Sequence, residues 1–115
     1  MSTTQKAPTA VDMVRDSNLA VTLANYGTPT GPTADALRKR LRGYIALLAE
    51  PAGQYADALA DSRARDIAQA TVDHARKVSE DWGGNPEAGL RLLAKSVDLL
   101  LRYAAAGQQQ RGKAR

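Results

Sequence analysis

The stretch Pro86-Glu-Ala-Gly-Leu-Arg-Leu-Leu-Ala-Lys-Ser-Val-Asp-Leu-Leu-Leu-Arg-Tyr-Ala-Ala-Ala106 decides the fold. Leu90, Leu93, Val97, Leu100 and Ala104 recur at heptad-like spacing, and Leu92, Leu99 and Leu101 widen the seam, which is the signature of a helix buried against more than one neighbour. Asn85 is placed to cap it and Pro86 suits its first turn. Glu87 and Arg91, like Asp98 and Arg102, stand four apart as helix ion pairs. At 1.5 Å per residue this helix, over about 86–106, reaches roughly 31 Å.

Upstream the same logic repeats between Gly/Pro breaks. Thr33 reads as the cap of a helix carrying Leu37, Leu41, Tyr44 or Ile45, and Leu48 on one stripe, with Asp35 paired to Lys39. Pro51 is expected to end that helix near Ala49 and leave a short extra helix over about Gln54 to Ala60. Asp61-Ser62 caps the next helix, Arg63 to about Asp81, whose expected stripe is Ile67, Thr71, His74, Val78 and Trp82, flanked by Ala64, Ala68 and Ala75. The first helix runs from Thr9, with Asp12 completing a capping box, to about Asn25 before Gly27. Val14 and Val21 share one face and Leu19, Leu23 and Tyr26 another, with a break expected near Ser17; Leu19 to Leu23 alone also reads as a strand. These elements predict an all-α, antiparallel bundle of four main helices with a short extra helix after Pro51. The expected organisation is a flexible arm (1–8), one helical-bundle domain (9–106) and a disordered basic tail (107–115).

Composition narrows the chemistry. The chain has 115 residues, no cysteine and one histidine, His74. Thiolate metal sites, disulfides, thiol nucleophiles and multi-histidine sites are thereby excluded, and no cofactor or metal is implied. There is no P-loop and no Gly-x-Gly-x-x-Gly run. No apolar run is long enough to span a membrane, and the first ten residues lack the apolar stretch of a secretory signal, so a cytoplasmic protein is expected. The net charge is +4, but Lys6, Arg111, Lys113 and Arg115 account for all of it, which argues against a broad nucleic-acid-binding face. The exception is Arg38, Lys39, Arg40 and Arg42, a cluster that reads either as a solvated face or as a surface for an anionic partner.

The segment Leu41-Arg-Gly-Tyr-Ile-Ala-Leu-Leu48, followed by Glu50-Pro51, resembles the LRGH-then-LL signature of an actinobacterial family of short helical proteins of unknown function labelled "natural product biosynthesis protein". Asp73-His-Ala-Arg-Lys-Val78 and Leu92-Leu-Ala-Lys-Ser-Val-Asp-Leu99 are similar to its later helices, so the resemblance covers about Ala34 to Tyr103. It implies a bacterial, cytoplasmic protein encoded beside secondary-metabolite genes, and no reaction. Tyr44 stands where that family has histidine.

Three functional readings follow. The preferred one is a non-enzymatic binding or accessory protein, acting through a protein partner or self-association at the Arg38–Arg42 cluster and the Leu92/Leu99 edge. The second is a small tailoring or pericyclase-like catalyst acting on a hydrophobic metabolite in a cavity lined by Tyr44, Tyr55, His74, Trp82 and Tyr103, with His74, Tyr44 and Tyr55 as its acid–base groups. The third is a DNA-binding regulator presenting its second helix to phosphate.

Overall fold

The computed structural model describes residues 7–80 and 84–113, and side chains only as far as 109 in the last helix. Four helices account for nearly all of it: α1 (Ala10–Tyr26), α2 (Pro32–Asp57), α3 (Ser62–Glu80) and α4 (Pro86–Lys113). Together they form an all-α helical bundle. No helix among the described residues is long and apolar enough to cross a membrane. The residues expected to form the N-terminal arm, up to position 6, lie outside this description, as do Asp81, Trp82 and Gly83.

Local chemistry explains the ends. Thr9 and Asp12 close a reciprocal capping box at α1: the Asp12 amide donates to Thr9 Oγ1 at 3.1 Å and the Thr9 amide to Asp12 Oδ2 at 3.0 Å. The Ala64 amide donates to Asp61 Oδ2 at 2.7 Å to start α3, and the Ala88 amide to Asn85 Oδ1 at 2.9 Å to start α4. These caps occupy amides that would otherwise lack partners.

Four local expectations are corrected. First, α2 is capped by Gly31, whose φ of +98° favours glycine, with Pro32 leading the helix; Thr33 lies inside it and makes no cap. Asp35 pairs with Arg38 rather than with Lys39. Second, α2 runs through Pro51 to Asp57, so the short extra helix is the end of α2 itself. Pro51 removes one backbone hydrogen bond, but continuity keeps Leu48, Ala52 and Ala56 buried on one line, and that burial offsets the loss.

Third, α1 is unbroken, and of its two expected apolar faces only Leu23 packs against the core. Met13, Asp16, Ser17, Ala20 and Ala24 are buried, while Val14, Leu19, Val21 and Tyr26 are exposed. Small residues let α1 approach its neighbours closely, and the polar run at Asp16-Ser17 is buried because Asp16 finds partners there. Fourth, α3 buries its alanine flank, Ala68 and Ala75, with Val72; Ile67 and His74 face solvent. At the other end α4 continues past Ala106 to Lys113, and Gly107 lies against Tyr55, where an added Cβ would come within 3.3 Å of the Tyr55 Cβ.

The tertiary contacts give the topology. Arg38 of α2 bonds the carbonyl of Pro86 at the start of α4, and Tyr55 stacks on Tyr103 at the other end with the same 48-residue offset, so α2 and α4 run side by side in one direction. Arg91 bonds Asn25, and Gln69 bonds Asp57, so α1 and α3 run opposite to that pair. α2 and α4 each touch all the other helices, whereas α1 and α3 do not touch one another among the described residues. The short dimension of the molecule, 21 Å, is two helix diameters. A pair of central helices flanked by two others therefore replaces the square cross-section of a symmetric bundle. Leu37, Leu41 and Ile45 of α2 and Leu90, Val97 and Leu100 of α4, none more than 1% exposed, fill the centre.

Candidate functional site

The basic cluster Arg38–Arg42 sits on α2, and the helix turn distributes it. Arg40 points to α1, where its Nε donates to Asp16 Oδ2 at 3.0 Å and its terminal nitrogen to Oδ1 at 3.3 Å. Tyr44, one turn on, donates its hydroxyl to the same Oδ2 at 2.5 Å. Asp16 is only 4% exposed. Burial pushes its carboxyl up, but the donated hydrogen bonds from Arg40 and Tyr44, with the Arg40 charge, outweigh this and hold it below the usual carboxylate value. Burial first, then the carboxylate it bonds, pushes the Tyr44 phenol up to about 12. The hydrogen bonds to Asp16 raise the Arg40 guanidinium further still. With Asp16 and Tyr44 buried and Arg40 half-exposed, this cluster is an ionised pair with a neutral phenol attached, and it ties α1 to α2.

Arg38, Lys39 and Arg42 face the other way, into an open groove of about 960 Å3 between the N-terminal halves of α2 and α4. Val78, Leu92, Leu93 and Pro86 supply its apolar wall. Arg38 is held in place by Asp35 at 3.2 Å and by the carbonyls of Pro29 and Pro86, so it latches the α1–α2 loop to the start of α4. Arg42 is partly buried; desolvation, followed by the like charge of Arg38, lowers its guanidinium below the ordinary value. The N-terminus of α4 adds little, because Asn85 already accepts from Ala88 and Gly89. Cation character in the groove therefore comes from side chains.

The remaining sequence candidates are dispersed. His74 is exposed on the outer face of α3. Tyr55 and Tyr103 stack on one another with ring centres 5.4 Å apart. Trp82 lies outside the described residues. A second hollow of about 260 Å3 between α2 and α3 is lined by Glu50, Gln54, Asp57, Gln69, Asp73 and Arg76 among others, and touches none of the aromatic candidates. The Leu92/Leu99 edge divides: Leu92 is exposed in the groove, while Leu99 is half-buried.

Asp16 is the residue that sequence reasoning missed. Its signal was present, since a polar Asp-Ser-Asn run inside an otherwise apolar helix marks either a break or a buried polar partner. Arg40 and Tyr44, spaced four apart on α2, were the complementary half of that pattern.

No curated protein and no solved structure matches the chain. A family model for a family of unknown function, DUF6415, matches residues 12–109. That match takes in all of α2 and α3 and most of α1 and α4, the groove and the Asp16 cluster included, and the chain belongs to this family of unknown function.

Proposed function

We propose that this chain is a non-enzymatic, cytoplasmic binding protein, an accessory to natural-product biosynthesis, whose working surface is the groove between α2 and α4. Its ligand is a small amphipathic acid: an anionic group set against Lys39 and Arg42, and an apolar body laid along Leu92 and Leu93. The observation that carries this reading is the convergence of cations and exposed leucine, from two separate helices, on one groove. Its volume lies in the range of small-molecule sites. The accessory role in biosynthesis is supported only by the resemblance of Leu41–Leu48 and the later helices.

Binding rather than catalysis is favoured by what lines the groove. Asp35 is a highly exposed carboxylate already tied to Arg38, and His74 and Tyr44 are elsewhere. Charge and apolar surface hold a ligand; they do not by themselves move a proton.

The test is fluorescence titration of the full chain with 8-anilinonaphthalene-1-sulfonate, an apolar anion, beside the neutral N-phenyl-1-naphthylamine. Saturable one-site binding of the sulfonate is expected, tighter than that of the neutral probe. Lys39→Glu and Leu92→Glu, both at exposed positions, should each weaken it about tenfold while leaving the melting temperature unchanged. Equal affinity for both probes, or indifference to both substitutions, overturns the reading.

A further inference from the structure

Gly89 lies at the middle of the wall that α4 gives to the groove. Asn85 and Pro86 stand four and three positions before it, Leu92 and Leu93 three and four after, and all five line the groove. At helical spacing these four are the neighbours of Gly89 on one face, so the wall is notched, with glycine at its floor and larger groups at either end. Glycine there costs helix stability, and its usual reasons do not apply. Gly31 and Gly84 hold positive φ, and Gly89 does not. An added Cβ at Gly89 would meet nothing within 4 Å, so no packed neighbour needs the space.

The facing wall comes from α2. Nη2 of Arg38 donates to the carbonyls of Pro29 and Pro86, the latter at 2.9 Å, and Nη1 donates to Asp35 at 3.2 Å. A guanidinium carries all its donors in its own plane, so these acceptors fix that plane and leave its flat face as the surface for a ligand. The side chain is only 13% exposed, so it is held rather than swinging in solvent. Pro86 and Gly89 are one turn apart on the same side of α4, which sets this guanidinium beside the notch.

We propose that the apolar body of the ligand is a planar aromatic ring, laid against Gly89 and stacked on the guanidinium of Arg38, with Gly89 as the residue that selects it. This rests on the reading of the groove as the site of an amphipathic acid, and it narrows that class to aromatic acids. A ring lies flat against a helix where no Cβ stands, and its electron-rich face attracts the cation opposite. A globular aliphatic body is held off by Pro86 and Leu92 at the rims of the notch. An alkyl chain gains nothing from the guanidinium face and loses its own rotational freedom on binding. α4 brings no charged residue to the groove, so its wall recognises the body of the ligand and not its acid group.

Three carboxylates of equal carbon number and charge separate shape from hydrophobicity: 2-naphthoate, adamantane-1-carboxylate and undecanoate. Each is titrated against the full chain carrying 8-anilinonaphthalene-1-sulfonate, with displacement read by fluorescence. 2-Naphthoate should bind about tenfold more tightly than either aliphatic acid, although undecanoate is the most apolar. Gly89→Ala should weaken 2-naphthoate about tenfold yet raise the melting temperature by about 3 °C, so that binding and stability move in opposite directions. Gly43→Ala, at an exposed helical glycine outside the groove, should give a similar rise with binding unchanged. Displacement by either aliphatic acid as strong as by 2-naphthoate, or undiminished 2-naphthoate binding in Gly89→Ala, overturns this proposal while the sulfonate still reports the groove. Failure of the sulfonate itself to bind overturns the reading of the groove, and this proposal with it.

Discussion

The hydroxyl of Tyr44 donates to the Asp16 carboxylate across 28 residues of sequence, joining the middle of α1 to the middle of α2. Arg40 completes the contact from one helical turn away. Burying a carboxylate is costly unless it is paired and hydrogen-bonded, and here both conditions are met.

Asp16→Ala removes the acceptor and leaves the Tyr44 hydroxyl buried without it. A loss of about 1–3 kcal/mol is expected, kept below the value for a fully buried pair because the Arg40 side chain is 47% exposed. Tyr44→Phe should cost less, since Arg40 still satisfies the carboxylate. Urea unfolding of the two variants checks the order, and equal losses would contradict it.

The same cluster sets two pH limits. The Asp16 carboxyl is lowered on folding, so its contribution is present above the ordinary carboxylate pKa and is lost as pH falls through the lowered value. The Tyr44 phenol is raised to about 12, so its contribution is intact below the ordinary phenol pKa of about 10 and is lost as pH rises from there towards about 12. Stability measured against pH should decline at both ends. In Asp16→Ala the acid-side decline should be shallower, and the Tyr44 phenol should titrate nearer its ordinary value.

Ser17 sits beside Asp16, is 1% exposed, and its hydroxyl has no hydrogen-bond partner among the described residues. Ser17→Ala removes an unsatisfied buried group at little cost in volume. A gain of about 1 kcal/mol is expected, roughly 4 °C in melting temperature for a domain of this size. A decrease in melting temperature would show that the hydroxyl is satisfied in solution.

Pro51 is the costliest residue in α2 for helix formation. Pro51→Ala should restore a backbone donor inside a continuous helix and raise stability by about 2 kcal/mol, after allowance for the freer unfolded chain. If α2 ended at Ala49 in solution, this substitution would change stability little and would instead increase the helical circular dichroism signal.

Two glycines inside helices separate close packing from propensity. A Cβ at Gly43 meets nothing within 4 Å, whereas one at Gly107 comes within 3.3 Å of Tyr55. Gly43→Ala should stabilise by about 0.5–1 kcal/mol, and Gly107→Ala should gain less because Tyr55 must give way. Equal gains in thermal unfolding would mean that the end of α4 does not rest on Tyr55.

Periodicity was a good guide where one face of a helix is large and apolar. The stripes Leu37–Leu48 and Leu90–Leu100 were legible because four or five leucines at helical spacing have one low-energy arrangement, against each other. It misled where the inward face is made of small residues. In α1 and α3 alanines fill half of the buried positions, while Val14, Leu19, Val21 and Ile67 lie outside, because close helix approach selects for size as much as for hydrophobicity. Pattern reading assigns the interior to the most apolar stripe and has no term for that.

The sequence by itself determined the class of fold, the capping box of α1, the caps at Asp61 and Asn85, and the lack of thiol or multi-histidine chemistry, since all of these depend on residues within a few positions of one another or on composition alone. Only the tertiary structure decided which way each arginine of the 38–42 cluster points. Helix rotation sends Arg40 across to Asp16 on α1, and Arg38 and Arg42, with Lys39, to the groove beside Leu92. That division depends on how α1 and α4 pack around α2, a relationship between residues dozens of positions apart that no local pattern encodes.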